Sequence, residues 1–435
     1  MNIYSTYSVK IKHYNHIFEK TAEKYQAAVD FYMDVCLKEW PQILEIPGAK
    51  ARQMYVEQIT HRTRNRTEVK YDFAESFYKF PSYLRRSAIS EAIGKVSSYK
   101  SNLKNWELGP QGKAPVITKA GRIYPAMFRD NMYVRIDSYT AKIKIYIRNT
   151  WDWLTVSLKK SDVDYILHHC AGRKECVPTL QKRGKEWYLD FVFEEKVKLT
   201  EKPIREQKII AVDLGINQAC VCSVMTADGT VHGRHFLSLS AEKDRLEHAL
   251  NRIKKAQQHG AVKLPRLWAR VKGLNHDISV KTAGFIIETA KKYQADVVVF
   301  EHLELNGRKR GSSKQKLHHW KCREVQRIVT DKAHRLGIRI SRVCAWGTSA
   351  LAYDGSGRVE RDAKNYSMCT FATGKRYHCD LSATYNIGAR YYIREILKSL
   401  TETSRLVTEA KVPACTKRST CTYSTLINLN AVLAA

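Results

Sequence analysis

A chain of 435 residues with 44% apolar residues can bury two or three cores, so it is not a disordered tail. Its 74 Lys and Arg stand against 43 Asp and Glu, a formal net charge of +31. That excess argues against an ordinary small-molecule enzyme and points to a polyanionic partner, nucleic acid first. Eleven scattered cysteines, an odd number, suggest no secreted disulfide framework. No run approaches the roughly 20 apolar residues of a membrane span. The polar start MNIYSTYSVKIKHYNHIF has no apolar stretch of the signal-peptide kind, so the expected compartment is the reducing cytoplasm.

Residues 6–13 read as a short strand. Helical spacing follows from Ile17 to Leu37, then over 50–79 and 81–107. The last of these sets Leu84, Ile89, Ile93 and Val96 on one side, with Arg85, Arg86, Lys95 and Lys100 around it. After the loop GPQGKAP the period changes to two. MYVRID, TAKIKIYIRN, WLTVSLKK, CVPTLQKR and EWYLDFVFEEKVKL alternate as half-buried antiparallel strands do. Residues ~114–200 therefore read as a β-barrel or sandwich, with the helices inserted between its first strand and the rest. EKPIREQ (201–207) reads as a linker. KIIAVDLG is then a strand buried on both faces. Two more strands follow, then helices at 240–257 and 262–293, the strand ADVVVFE and the basic loop NGRKRGSSKQK (306–316). A helix at 318–337, the strand IRISRVC, a loop-rich stretch at 344–379 and a helix at 382–399 complete the order. The last ~35 residues show weak periodicity and read as a poorly ordered tail.

Three acids carry the chemistry. Asp213 ends the strand of IIAVDLGIN, Glu301 ends that of DVVVFEHLE, and Asp380 opens the helix of YHCDLSATYNIGAR. Three carboxylates drawn from distant segments suit hard divalent cations, which prefer oxygen ligands. The element order, three strands, helices, strand, helix, strand and a late helix, is that of an RNase H-like α/β fold. AVDLGIN, VVVFEHLE and CDLSATYNIGAR resemble the three RuvC motifs of the transposon-encoded TnpB (OrfB) endonucleases and the related miniature type V CRISPR effectors. The resemblance implies a wedge β-barrel domain (1–15 and 109–200) carrying a helical recognition domain (16–108). It further implies a RuvC nuclease domain (201–343 and 380–399), a ribbon-like insertion (344–379) and a C-terminal tail (400–435). It also implies a bacterial cytoplasmic protein that binds a guide RNA and reads a short target-adjacent motif. Such a protein cuts double-stranded DNA with two Mg2+ ions held by Asp213, Glu301 and Asp380.

Two departures from the family pattern stand out. Its zinc ribbon has two CxxC pairs after Thr-Ser; here Thr348-Ser349 leads into ALAYDGSG, with no cysteine. Cys344, Cys369 and Cys379, with His378, could make a Cys3His site only if Cys344 folded back. The expectation is a ribbon without zinc, held by Tyr353, Tyr366, Phe371 and Tyr377. Ser382 replaces the usual Asn after the third acid and is expected to cap the helix; Asn386-Ile387 keeps the family's later pair. Arg376 reads either as a phosphate contact or as a surface residue. His302 and Glu304 stay outside the catalytic set. Loop 306–316 reads either as a lid or as a solvated loop. Two other functions remain open: an RNA-guided DNA-binding repressor, and a non-guided RNase H-like transposase or resolvase. Retention of all three acids argues against the first. The inserted helices argue against a bare resolvase.

Overall fold

In the computed structural model, residues 1–13, 16–110, 112–119, 121–128, 130–216, 218–303 and 320–435 are described. Loop 306–316 and Glu304 lie outside them. The chain is mixed α/β and divides into two compact units, Asn2–Glu195 and Lys196–Ala435 with Met1.

The N-terminal unit begins with β1 (Asn2–Lys10) and five helices: α1 (Glu19–Lys38), α2 (Trp40–Glu45), α3 (Ala49–Thr60), α4 (Phe73–Ser76) and α5 (Ser82–Leu108). The strands β2 (Tyr133–Arg135), β3 (Thr140–Ile147) and β4 (Thr150–Ser157) come next, then α6 (Lys160–His169). The unit closes with β5 (Lys174–Glu175), β6 (Thr179–Arg183) and β7 (Glu186–Lys196). The helix expected over 50–79 is broken after Thr60. There the run HRTRNRT folds on itself through paired Thr63 and Arg66, and the Arg66 guanidinium donates to the His61 carbonyl at 2.9 Å. Helix α6 is absent from the strand reading.

The expected barrel is instead two open sheets among the described residues, β2-β3-β4 and a four-stranded one in which β7 pairs with β1, β5 and β6. A single bridge from Ile11, just past β1, to Leu158, just past β4, links the two, and another ties Ala126, ahead of β2, to Thr179 of β6. Side chains at period two from both sheets share one aromatic-rich core with the helices, in which Phe18, Tyr32, Phe73, Trp187 and Phe191 are buried.

In the C-terminal unit, β8 (Lys208–Asp213), β9 (Cys220–Thr226) and β10 (Val231–Leu237) form an antiparallel meander. Helices α7 (Ser240–Gln258) and α8 (Pro265–Lys292) lead to β11 (Val297–His302); α9 (Cys322–Arg335) leads to β12 (Arg339–Cys344). The sheet order is β10-β9-β8-β11-β12, with β8, β11 and β12 parallel. Period two splits the central strands cleanly. Ile210, Val212, Val298 and Phe300 pack toward a core that includes Ile286 of α8 and Val329 of α9. Ile209, Ala211, Val297 and Val299 face the opposite core. That core is closed by α10 (Cys379–Ser399). Gly388 lets α10 close in: a Cβ there would collide with the Met225 sulfur.

Before α10, a small sheet joins β13 (Glu360–Arg361), β14 (Met368–Thr370) and β15 (Arg376–His378). It surrounds Ala352, Cys369, Phe371 and Cys379, with Tyr353 and Tyr377 packed alongside. Tyr366, expected to hold the hairpins, is 62% exposed. The expected tail is folded: α11 (Glu402–Lys411) and α12 (Tyr423–Ala434) follow α10, and Leu426 and Leu429 are fully buried in its core.

Candidate active site

Strand parity aims two of the predicted acids. Asp213 continues the face of Ile209 and Ala211, and Glu301 that of Val297 and Val299. Both therefore point to the side covered by α10. The parallel register pairs Phe300 with Val212, so Glu301 and Asp213 come next, side by side at the C-terminal ends of adjacent strands. Asp380 lies in the first turn of α10, where the helix dipole favours a negative charge.

Asp213 feels the charge of Glu301 and Asp380, and Glu301 that of Asp380. Burial, then the fields of Glu301 and Asp380, push the Asp213 carboxyl well above the usual carboxylate range, against the opposing pull of Arg361. Burial also raises Glu301, with Asp380 adding to it and the Thr348 hydrogen bond and Arg390 resisting. Asp380 is raised by burial, with His378 and Arg361 opposing. Such a cluster of half-buried like charges is a place where a divalent cation relieves repulsion. Among the described residues, however, no three His, Cys, Asp or Glu side chains stand close enough together to hold an ion.

Three polar residues build the frame around Glu301. The Thr348 hydroxyl donates to the Glu301 carboxylate, 47 residues away in sequence. Asn386 donates to the Thr348 and Leu351 carbonyls at 3.0 and 2.9 Å and accepts from the Tyr423 amide at 3.0 Å. Arg390, 4% exposed, donates to the carbonyls of Cys344, Trp346, Ser419 and Cys421 at 2.7, 2.8, 2.8 and 3.0 Å. Asn386 and Arg390, one helical turn apart on α10, thus tie both the Thr348 loop and the C-terminal segment to the helix that carries Asp380.

Other predicted roles fall differently. Helix α10 is capped by His378, whose Nδ1 accepts from the Leu381 amide at 3.4 Å. The Ser382 hydroxyl, expected as the cap, is buried without a hydrogen-bond partner, four residues along α10 from the His378 cap. Arg376 is paired with Asp362 at 2.9 Å. Arg361 went unremarked in the sequence. It opposes the charge on Asp213 and Asp380 and lies 4.7 Å from the centre of the exposed Tyr366 ring. No sequence signal marks it, since the β13–β14 pairing, which sets it opposite Cys369, positions it where its charge is felt by Asp213 and Asp380.

Nor does the structure make the zinc set. Cys369 donates to the Tyr377 carbonyl at 3.4 Å and Cys379 to that of Tyr366 at 3.8 Å, both buried in the small sheet's core. Cys344 is exposed at the end of β12 and does not fold back to them. His302 is exposed at the end of β11. No helix among the described residues is long and apolar enough to cross a membrane.

Comparison with known proteins agrees with the sequence motifs. Residues 5–147 match the model of the Aq_aa04 family. The TnpB-like protein aq_aa05 of Aquifex aeolicus (strain VF5) is 30% identical over 234 residues, covering 48% of this chain and 74% of that protein. The chain belongs to the TnpB-like family. Among solved structures, it is similar to Cas12f1 in its complex with sgRNA and target DNA (16% identity, TM-score 0.34, covering 88% of this chain and 98% of that one). It is also similar to CasPhi-2 (Cas12j) bound to crRNA and phosphorothioate-DNA (11% identity, TM-score 0.45, covering 88% and 90%).

Proposed function

We propose that this chain is an RNA-guided DNA endonuclease of the bacterial cytoplasm, with Asp213, Glu301 and Asp380 as the metal-holding acids of one RuvC-type site. The observation that carries this reading is the placement of three carboxylates on one side of the sheet, at the adjacent ends of β8 and β11 and the start of the covering helix α10, in a chain of net charge +31. The antiparallel-then-parallel strand order supports an RNase H-like domain around them. The five helices between β1 and β2 support a recognition domain inserted in a wedge-like β-domain.

The donor set fits Mg2+, a hard cation that takes carboxylate oxygens and retains waters. Two such ions, held by Asp213, Glu301 and Asp380, would supply an activated water and stabilise the leaving 3′ oxygen in phosphodiester hydrolysis. The chain's own residues set this up. Thr348 fixes one oxygen of Glu301 and leaves the other for a ligand. Arg361 brings a guanidinium to the carboxylates, where it would pair a phosphate oxygen of the bound strand. Guide–target pairing would supply sequence specificity, and the excess of Lys and Arg would hold the heteroduplex backbone.

The test is to purify the protein with co-expressed flanking RNA and challenge it with a randomised-motif plasmid library in Mg2+. Cleavage beside one short motif is expected, lost on chelation and reduced at least ~1,000-fold by Asp213→Ala, about 4 kcal/mol of barrier. Guided binding without cuts would leave a repressor. RNase treatment that spared activity would remove the guide. Unchanged cleavage by Asp213→Ala would refute the site.

A further inference from the structure

On the far side of the sheet from α10, the C-terminal unit holds a cavity of about 410 Å³. Helices α7 and α8, the start of α9 and the loop after β8 wall it. Its apolar surface belongs to the core that α8 and α9 close, through Leu214 and Val325. One polar group in this wall is conspicuous. Asn275 of α8 is 6% exposed, and among the described residues its side-chain amide meets no hydrogen-bond partner. The Ser279 hydroxyl, at 3.0 Å, goes to its backbone carbonyl instead. An amide taken out of water without a partner is costly, so one buried beside a cavity marks a place for a ligand. Trp320, half-buried, lines the same cavity. So does Lys243 of α7, which donates to the Ile216 carbonyl at 2.7 Å and which burial brings down to about 8.

We infer that this cavity binds a single nucleotide with its base against Asn275, at a site separate from the three acids. Three observations select that ligand. A primary amide sets a donor beside an acceptor, the pattern that pairs with a nucleobase edge, as Asn does with adenine. The Trp320 indole gives the base a face to stack on. Size and charge fix the rest. The volume falls at the lower end of the roughly 300–1,000 Å³ of small-ligand sites, which suits one nucleotide and not a strand. Among the described residues, the charged side chains on the wall balance, Lys243 and Lys321 against Asp244 and Glu247. Two cations serve one phosphate, and the acids would repel a chain of them. Carboxylates also accept from ribose hydroxyls, as they do in dinucleotide sites.

AMP is the probe, titrated by equilibrium dialysis into the full-length protein freed of nucleic acid and divalent metal. One AMP per chain should bind, at least ~10-fold more tightly than ribose 5-phosphate, which lacks the base. Asn275→Leu, close in volume and without polar atoms, should weaken AMP about 10-fold and leave ribose 5-phosphate unchanged. Its melting temperature should not fall, because it removes an unpartnered amide. Trp320→Ala should weaken AMP about 10-fold, and Trp320→Phe should restore most of it. This second pair carries the test if Asn275→Leu does not fold. AMP that binds no better than ribose 5-phosphate overturns the inference, as does AMP affinity unmoved by the substitutions. Competition separates two sources of the nucleotide. Displacement of AMP by oligoadenylate, but not by an abasic oligomer of equal length, supports the site as a seat for a base extruded from a strand. AMP retained beside bound oligoadenylate supports it as a seat for the free nucleotide. None of these readouts involves cleavage, so this site and the nuclease reading fail separately.

Discussion

In the N-terminal unit Glu39, 4% exposed, receives Lys70 at 2.6 Å, Tyr71 at 2.7 Å and Tyr55 at 3.3 Å, and the Lys70 and Tyr71 contacts hold it below the usual carboxylate range. Glu57 is also lowered: burial works against it, but Arg85 and Arg86 outweigh burial. In the C-terminal unit the three acids at the ends of β8 and β11 and the start of α10 are all raised, by burial first and, for Asp213 and Glu301, by neighbouring acids, beyond what Arg361, His378, Thr348 and Arg390 return. Placed carboxylates thus stabilise one unit and strain the other. On the proposed function, a bound cation would offset that strain.

The largest expected effect tests the frame that holds the strained acids. Arg390→Met leaves four carbonyls without their donor and removes a cation whose field reaches Glu301. A loss of about 3–5 kcal/mol is expected. Hydrogen exchange should show deprotection at 344–348 and 415–426 before the N-terminal unit opens. If both units lost protection together, the contrast between them would be wrong.

Substituting one strained acid should move stability the other way. Asp213→Asn removes a repelling charge while keeping the shape, so the metal-free protein should gain roughly 1 kcal/mol, as active-site substitutions often do. Cleavage should be lost. A destabilised Asp213→Asn variant in urea unfolding would show that its charge is compensated after all.

Thr348 separates placement from charge. Thr348→Val removes the hydroxyl on Glu301 but keeps the buried methyl, whereas Thr348→Ser keeps the hydroxyl. Valine should cost about 10-fold in cleavage rate, ~1.4 kcal/mol, and serine little. Equal losses in the two variants would make the methyl packing, and not the hydrogen bond, the reason for Thr348.

These residues also show what can be read in advance. The strand-end positions of Asp213 and Glu301 are legible because runs of β-branched residues stop at each acid, and the helix after Asp380 is legible from its periodicity. The Thr348–Glu301 bond is not legible, because it spans 47 residues and depends on how the loop after β12 folds. The C-terminal helices are missed for the same reason. Helix α12 is apolar over LINLNAVLA except for Asn428 and Asn430, with no clear polar face, and its place is fixed by Asn386 and Arg390 on another helix. The break after Thr60 escapes notice because no Gly or Pro marks it. The cap at His378 escapes because an imidazole replaces the usual hydroxyl or carboxylate.

Acid should then separate the two units most gently. Glu39 has a lowered pKa in the folded state, so its contribution is complete above the unfolded value near 4.5 and is lost as the pH falls through the folded value. The raised acids have the opposite sign: protonation relieves their repulsion, so the metal-free C-terminal unit holds or gains stability as the pH falls from 7 toward 5. Exchange protection in 28–75 should therefore weaken only below about pH 4.5, after that of the C-terminal unit has stayed level or risen. Glu39→Gln keeps the shape but loses the charge-assisted bonds from Lys70 and Tyr71. It should cost about 1–2 kcal/mol at pH 7 and nothing further in acid. An acid response in 28–75 that survives Glu39→Gln undiminished would assign that response to Glu57 and its arginines.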